Sequence, residues 1–260
     1  MRAIFLHIPA PIIAFMVFLL ILLLNWMGYR FKHYQRRKYP DAEMDNLGPI
    51  EGSLLGLMAL LLAFSFGNSA SKFENHREII IEEANDIGTV ILRCDLYPDT
   101  PRNLLIANLK QYLDSRIDYY EARADEQKIA EAMEKSKIFS KKIWDIVAEE
   151  SMKPNALIRS NQMIPALNNM IDITTTREGA RIAKVPPLIL LMLITLILTS
   201  AFLVGYSQKS KKRNLVMNFG FAVMISLALY LVLELDRPRR GMINLDPTEQ
   251  KILDLRNEIK

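Results

Sequence analysis

The sequence has little of the chemistry on which most enzymes depend. Of its 260 residues, one is cysteine and three are histidine. The lone Cys94 excludes an intrachain disulfide and a cysteine-based metal cluster. His7, His33 and His76 form no His-x-x-x-His or Glu-x-x-His pair, so no metal site is predicted. Neither a glycine-rich phosphate loop nor a Gly-x-Ser-x-Gly elbow is present. We therefore expect no catalytic residues, no cofactor and no enzymatic activity.

Apolar residues, by contrast, are abundant and gathered into four long runs. They make up 50% of the chain, yet the mean hydropathy is only +0.09, because a long charged stretch offsets the runs. Each run is close to the ~20 residues that a helix needs to cross a bilayer. The predicted spans are residues 8–27, 50–70, 188–206 and 215–233. The sequence thus predicts an all-α, four-span transmembrane protein with a large helical insert between spans 2 and 3.

These spans divide the chain into four segments. Residues 1–70 and 185–234 are predicted to form two transmembrane hairpins, residues 71–184 a hydrophilic helical region, and residues 235–260 a polar tail. The helix of the second span is expected to continue out of the membrane until Tyr97-Pro98. The other predicted helices are one capped by Thr100, one over 125–152, one over 154–178 with a kink near Pro165, and a short one from Pro247.

The charge pattern favours a lipid partner over a nucleic acid. The net charge is +4, and basic residues gather beside the apolar runs, where they meet lipid headgroups. No nucleic-acid-binding motif is present, so no nucleic-acid partner is expected. Nine basic residues lie near the membrane on each side, which leaves the orientation undecided by charge. The basic residues beside the short loops are Arg30, Lys32, Arg36, Arg37, Lys38, Lys209, Lys211, Lys212 and Arg213.

The second span carries two different faces. Small residues recur at helical spacing on one side, and such a stripe lets a second helix approach closely in the membrane. They are Gly52, Gly56, Ala59, Ala63 and Gly67. Leu57, Leu61, Phe64 and Asn68 share the opposite side. In a ring of identical helices that side would form a hydrophobic constriction, whereas in a helix at the bundle edge it would face lipid. Ser65, Asn68, Ser69 and Ser71 suit either hydrogen bonding between helices or a pore lining.

A dense group of carboxylates follows on the helix that leaves the membrane. Glu74, Glu78 and Glu82 are four residues apart, so their like charges stack and need compensation. Salt bridges to Arg77, Arg93 or a neighbouring helix are the more common solution, and a bound cation is the other. We also hypothesise that Glu82 or Glu83 pairs with a basic residue of the insert or tail, with Arg239 as the candidate.

Several stretches resemble the bacterial bestrophin-like membrane proteins, a family related to the bestrophin ion channels. The layout of two spans, a helical insert, two spans and a polar tail agrees over nearly the whole chain. The stretches that carry the resemblance are Ser53-Leu54-Leu55-Gly56-Leu57, Gly67-Asn68-Ser69-Ala70-Ser71-Lys72-Phe73-Glu74, Glu82-Glu83-Ala84-Asn85-Asp86-Ile87-Gly88-Thr89 and Leu235-Asp236-Arg237-Pro238-Arg239-Arg240-Gly241.

The resemblance implies an ion channel of the inner membrane. Bestrophins are homopentamers, mostly selective for small anions such as chloride, and their second span lines the pore. By this resemblance Leu57, Leu61 and Phe64 would form the neck, Asn68 would lie just inside it, and both termini and the insert would be cytoplasmic. The family-motif polar residues would be Glu82, Glu83, Asn85, Asp236 and Arg239. The alternative is a non-conducting membrane scaffold or sensor whose insert binds a protein, and oligomeric state in detergent distinguishes the two.

Overall fold

The computed structural model describes residues 8–39, 48–208, 214–237, 239, 241–243 and 245–259. Throughout these residues the regular structure is helical, and no strand occurs in them. The helices are α1 (Ala10–Lys38), α2 (Gly48–Arg93), α3 (Asp99–Glu121), α4 (Glu126–Ser151), α5 (Leu157–Ile182), α6 (Pro187–Ser207), α7 (Leu215–Leu235) and α8 (Asp246–Glu258), with a short 3-10 turn at Cys94–Leu96. The predicted all-α class is confirmed.

Proline and capping side chains set several helix ends. Pro98 adopts extended geometry at the start of α3, which begins at Asp99, so the prediction that Thr100 caps this helix was wrong. Asp125 does cap α4, because its carboxylate accepts from the backbone N–H groups of Gln127 and Lys128. The next helix starts at Leu157 rather than Pro154, since Asn155 has a φ of 61° and interrupts the helical path. The predicted basic residues Lys209, Lys211, Lys212 and Arg213 lie outside the described residues, as do Pro238 and Arg240.

Four helices have the length and apolar composition to cross a membrane. They are α1, the first part of α2, α6 and α7. The chain is therefore a four-span membrane protein with a helical insert between spans 2 and 3. Its contacts divide into two compact units, residues 1–72 with 184–243 and residues 73–183 with 244–260. We call them the membrane unit and the insert unit, and α2 contributes to both.

The membrane unit is built around α1, which packs against α6 and α7. Ile13, Val17 and Ile21 of α1 are buried among apolar side chains that include Ile197 of α6 and Leu229 of α7. One buried polar side chain of this unit bonds across helices: the Asn25 side chain donates to the backbone carbonyl of Ala201 at 3.4 Å. Such bonds between helices matter because the bilayer supplies no water to replace them.

Two glycines allow α1 and α6 to touch through their backbones. A Cβ atom added to Gly28 would collide with the carbonyl oxygen of Phe202, and one added to Gly205 would collide with the carbonyl of Asn25. Only hydrogen can occupy the space at either position, so the two glycines permit a crossing that any larger residue would push apart. This contact is the closest small-residue approach that the described glycines make with another helix.

The insert unit has its own apolar core. The later part of α2 contributes Ile80 and Ile87, α3 contributes Tyr112, and α4 and α5 contribute Ile143 and Leu167. Helix α8 of the tail belongs to the same core through Ile252. The polar tail is therefore packed as part of the helical insert, although nearly two hundred residues separate α8 from the start of α2.

We expect Gly28→Ala and Gly205→Ala to lower the melting temperature of the detergent-solubilised protein. Each added methyl meets backbone atoms that no side-chain rotation can move, at a cost near the upper end of ~1–3 kcal/mol. Gly220→Ala on α7 is the matched control, because a Cβ there meets no atom within 4 Å. Equal melting temperatures for all three variants would contradict the close backbone crossing.

Candidate functional site

The second span turns a narrow stripe of residues toward the rest of the membrane unit. Met58, Ser65 and Ser69 are buried on this stripe, and Leu55 and Leu62 pack beside them against the unit's core. Ser65 and Ser69 are therefore packing residues within the chain. Neither serine hydroxyl has a hydrogen-bond partner among the described residues, so the structure shows their burial but not the hydrogen bonds between helices that the sequence allowed.

The small-residue face of α2 is exposed in the single chain. Gly52, Gly56, Ala59, Ala63 and Gly67 are all accessible. A Cβ atom added to any of the three glycines would meet nothing within 4 Å. The face is thus not used for close packing inside the chain, in contrast with Gly28 and Gly205.

The bulky face is also largely exposed. Leu57 is exposed and Phe64 has 66% of its surface accessible. Leu61 is half-buried because part of its side chain packs on the core of the membrane unit. Asn68 is half-buried as well. The structure therefore keeps these four residues on one side of the helix and leaves Leu57 and Phe64 exposed.

Both faces are open because α2 makes few contacts with the other spans. Only 11% of its most apolar 18-residue window is buried inside the chain, against 28–33% for the other three spans. A long apolar helix so little covered must meet lipid or other protein over most of its surface. Of the four spans, α2 is therefore the one least covered within the chain.

A buried ion network lies on the continuation of the same helix. The Glu83 carboxylate of α2 accepts from Arg116 Nε of α3 at 2.5 Å and from Arg177 Nη1 of α5. Arg177 also donates through Nη2 to Glu249 of α8 at 2.5 Å. All four side chains are buried, and their formal charges sum to zero. The network joins four helices of the insert unit by charge-assisted hydrogen bonds.

Aromatic rings complete the surroundings of this network. Tyr119 lies beneath both guanidinium groups, with its ring centre 4.5 Å from the Cζ atom of Arg116 and 5.1 Å from that of Arg177. The Tyr119 hydroxyl donates to Glu178 at 2.9 Å. Both arginines are therefore held by a carboxylate at the edge and an aromatic ring at the face, which restricts them to one orientation.

The pKa of Glu83 reflects this setting. Burial alone would raise the pKa of the carboxyl, but the charges of Arg116 and Arg177 outweigh burial, and the pKa falls to about 2. Burial would likewise lower the pKa of Arg177, yet Glu83 and Glu249 raise it above its ordinary value. The Glu83 carboxylate and the Arg177 guanidinium are thus both charged at neutral pH.

The sequence anticipated only part of this network. Glu83 pairs with a basic residue as hypothesised, but its partners are Arg116 and Arg177 rather than the candidate Arg239. Glu82 and Asn85 are exposed. Arg116, Arg177 and Glu249 were missed, because in the sequence they look like the many solvent-exposed charges around them. The available signal was their spacing, which places each on the apolar side of its helix.

The negative charge of Glu74, Glu78 and Glu82 is compensated in part by a basic residue of the same helix. Arg77 forms an ion pair with Glu74 at 2.6 Å, one turn away. Both side chains are about half exposed, so the pair contributes little to stability. Among the described residues, no group of histidine, cysteine, aspartate or glutamate side chains has the arrangement of a metal site.

Residues that follow the fourth span form hydrogen bonds with the segments that precede α6 and α1. Asp236 accepts from the backbone N–H of Val185 at 2.9 Å, just before α6, and Arg237 donates to the carbonyl of Ile8 at 2.8 Å, just before α1. The buried Glu234 carboxylate accepts from the backbone N–H of Met242, and Gly241 packs against it so closely that a side chain would collide. Arg239 is half-buried in the same turn.

Comparison with known proteins agrees with this architecture. The sequence model of the Bestrophin-like domain matches residues 15–250. Three crystal structures of a bacterial bestrophin homolog from Klebsiella pneumoniae superpose on the chain. A tryptophan-to-alanine variant has a TM-score of 0.71 at 15% identity, covering 97% of this chain and 100% of that one. A tyrosine-to-alanine variant has a TM-score of 0.68 at 13% identity, and the match covers 92% of this chain and 98% of that one.

The third structure, phased by zinc anomalous scattering, has a TM-score of 0.67 at 14% identity and covers 91% of this chain and 97% of that one. At such low identities the three structures establish a shared fold. No curated protein matches the chain at a significant level.

We predict that Glu83→Gln destabilises the protein by about 3–5 kcal/mol, because it leaves two buried guanidinium groups facing a single remaining carboxylate. Glu82→Gln is the matched control: Glu82 is the neighbouring residue, chemically identical but exposed. The measurement is unfolding of the detergent-solubilised protein, followed by tryptophan fluorescence. Equal stability of the two variants would refute the network's importance.

The same network sets an acid limit. An unfolded glutamate has a pKa of about 4.3, and the folded pKa of Glu83 is about 2. The Glu83 carboxylate therefore binds a proton less readily in the folded state than in the unfolded state. Its contribution to the free energy of unfolding is complete above pH ~4.3 and is lost as the pH falls toward 2. Over that interval the parent should lose more stability than Glu83→Gln, which lacks the titrating group. Parallel pH profiles would count against this assignment.

Proposed function

The chain belongs to the Bestrophin-like family, and from this membership together with the geometry of α2 we propose that it forms an oligomeric channel for small ions. The observation that carries the proposal is the exposed second span. Its small-residue face is exposed and its bulky face is only partly covered within the chain, although most of the span is apolar. A symmetric ring gives each face a distinct use: one contacts the neighbouring copy and the other faces the central axis.

In this ring the small residues form the contact between copies. Association of helices in lipid rests on van der Waals packing rather than on a hydrophobic drive, so it favours residues that let backbones approach. Gly52, Gly56, Ala59, Ala63 and Gly67 offer such a surface, and nothing in the chain covers it. By the family resemblance the ring is a pentamer.

The bulky face forms the neck of the proposed pore. Leu57 and Phe64 are exposed one to two turns apart on that side, with Leu61 between them. Repeated around an axis, they make stacked apolar collars that resist wetting and can hold the pore closed. Asn68 follows one turn further along, and its amide can meet an ion of either sign. We propose that the conducted ions are small anions such as chloride, as in most bestrophins.

The cellular setting follows from the same resemblance. We place the protein in the inner membrane, with the insert unit and both termini in the cytoplasm. Membrane lipid and small inorganic ions are then its partners, and it has no enzymatic role. The neutral, tightly paired network of Glu83, Arg116, Arg177 and Glu249 serves this function as a structural support for the helix that continues from the pore.

We expect Gly56→Leu and Ala63→Leu to reduce the oligomer to smaller species. In the single chain the space beside Gly56 is open, so a new side chain there obstructs only a second molecule. Light scattering coupled to size-exclusion chromatography in mild detergent measures the mass of the complex. Gly220→Leu is the control, because its surroundings are equally open but lie on α7. An unchanged mass for both α2 variants would argue against this contact surface.

We expect Phe64→Ala to raise ion flux several-fold in reconstituted vesicles, because a shorter collar side chain makes the constriction easier to wet. Leu61→Ala should act in the same direction but less strongly, since part of its side chain already packs inside the membrane unit. Leu191→Ala on α6, which also truncates an exposed apolar side chain, should leave the flux unchanged. If the parent and the α2 variants are folded and oligomeric yet silent, the protein is a scaffold or sensor.

A further inference from the structure

A groove lies between α1 and α7 in the half of the membrane unit away from Ile8. It has a volume of about 660 Å³ and is lined by Leu22 of α1 and by Leu215, Val216, Asn218, Phe219 and Gly220 of α7. Most of its wall is apolar, and Val216 and Phe219 are exposed beside it. In a bilayer such a space is filled by a hydrocarbon chain.

One polar side chain in the wall lacks a full set of partners. Asn218 is buried, with 3% of its surface accessible, and its Oδ1 accepts from Gln208 Nε2 at 2.6 Å. Within the part of the chain that the structure describes, its Nδ2 has no hydrogen-bond partner. A buried amide donor without an acceptor carries a desolvation cost, which a ligand oxygen in the groove would remove. The groove therefore combines an apolar wall with an available donor.

The charged residues that α1 and α7 place toward the groove end are basic. Leu22, Trp26 and Arg30 follow one another at four-residue spacing, so a single face of α1 leads from the groove wall to a cation. The Arg30 guanidinium lies 5.1 Å from the ring centre of Trp26. Lys32 lies near the same end of the helix and donates to the carbonyl of Gln208 at 3.1 Å. Neither residues 8–39 nor residues 214–233 contain an aspartate or glutamate.

We propose that this groove is a binding site for an anionic phospholipid. One acyl chain lies against Leu22, Val216 and Phe219, and the phosphate oxygens accept from the Asn218 amide close to the positive charge of Arg30. A neutral lipid makes the same apolar contacts, which are no better than those among lipids. Selectivity then rests on charge and on the amide donor. The site depends on the membrane fold alone and stands independently of conduction.

Tryptophan fluorescence provides a local test. The chain has two tryptophans, and Trp144 lies in α4, so Trp144→Phe leaves Trp26 as the only reporter. Trp26 is one turn from the groove wall and partly exposed. The protein is reconstituted in phosphatidylcholine vesicles with increasing fractions of brominated phosphatidylglycerol, and in parallel with brominated phosphatidylcholine. We expect phosphatidylglycerol to quench Trp26 at about fivefold lower mole fraction, equivalent to the ~1 kcal/mol contributed by one juxtamembrane basic residue.

Three variants separate a built site from general attraction to a basic surface. Gly220→Phe adds a bulky ring to the groove wall, at a position where a Cβ meets no atom within 4 Å, and Asn218→Leu removes the amide at similar volume. Both should abolish the preference. Met224→Phe, one turn deeper on the exposed side of α7, should retain it. The proposal is overturned if quenching by the two lipids is equal in the parent, or if the preference survives Gly220→Phe and disappears only with added salt, which indicates diffuse electrostatic attraction.

Discussion

The arrangement of the insert unit depends on the ion pairs that the buried Glu83 carboxylate forms with Arg116 and Arg177. This carboxylate lies on α2, fully buried, and accepts hydrogen bonds from guanidinium groups of two other helices. Because a buried charge is stable only when paired, each helix must place its partner at one position and in one orientation. The apolar core around it would tolerate some sliding of the helices, whereas the network does not. Its main contribution is therefore to specify how α2, α3, α5 and α8 are arranged.

Glu83 lies on the same helix as the second span, because α2 is one uninterrupted helix of 46 residues. That length is more than twice the ~20 residues needed to cross the bilayer. The same helix carries Phe64 in its apolar half and Glu83 in its charged half. Within the chain, the network fixes the later half firmly while the earlier half has few contacts. In the ring proposed above, such a helix would join a tightly packed later half to a surface available for neighbouring copies.

Small residues serve two purposes in the membrane unit, and their surroundings distinguish them. Backbone atoms of another helix occupy the space beside Gly28 and Gly205, so these two glycines pack within the single chain. Gly52, Gly56 and Gly67 meet nothing, although their regular spacing makes them the more conspicuous set. Spacing along one helix shows which residues share a face. It does not show whether the facing helix belongs to the same chain or to another copy.

The sequence by itself determined the membrane character, the helical class and the number of spans, because long apolar runs can satisfy their backbone groups in lipid only as helices. It also determined which residues of α2 share a face, since helical periodicity is a local property. Only the tertiary structure decided that Ser65 and Ser69 face inward, that Arg116 and Arg177 rather than Arg239 hold Glu83, and that α8 belongs to the insert core. Those pairings join residues far apart in the chain, and their spatial proximity arises from packing of whole helices, which no local pattern records.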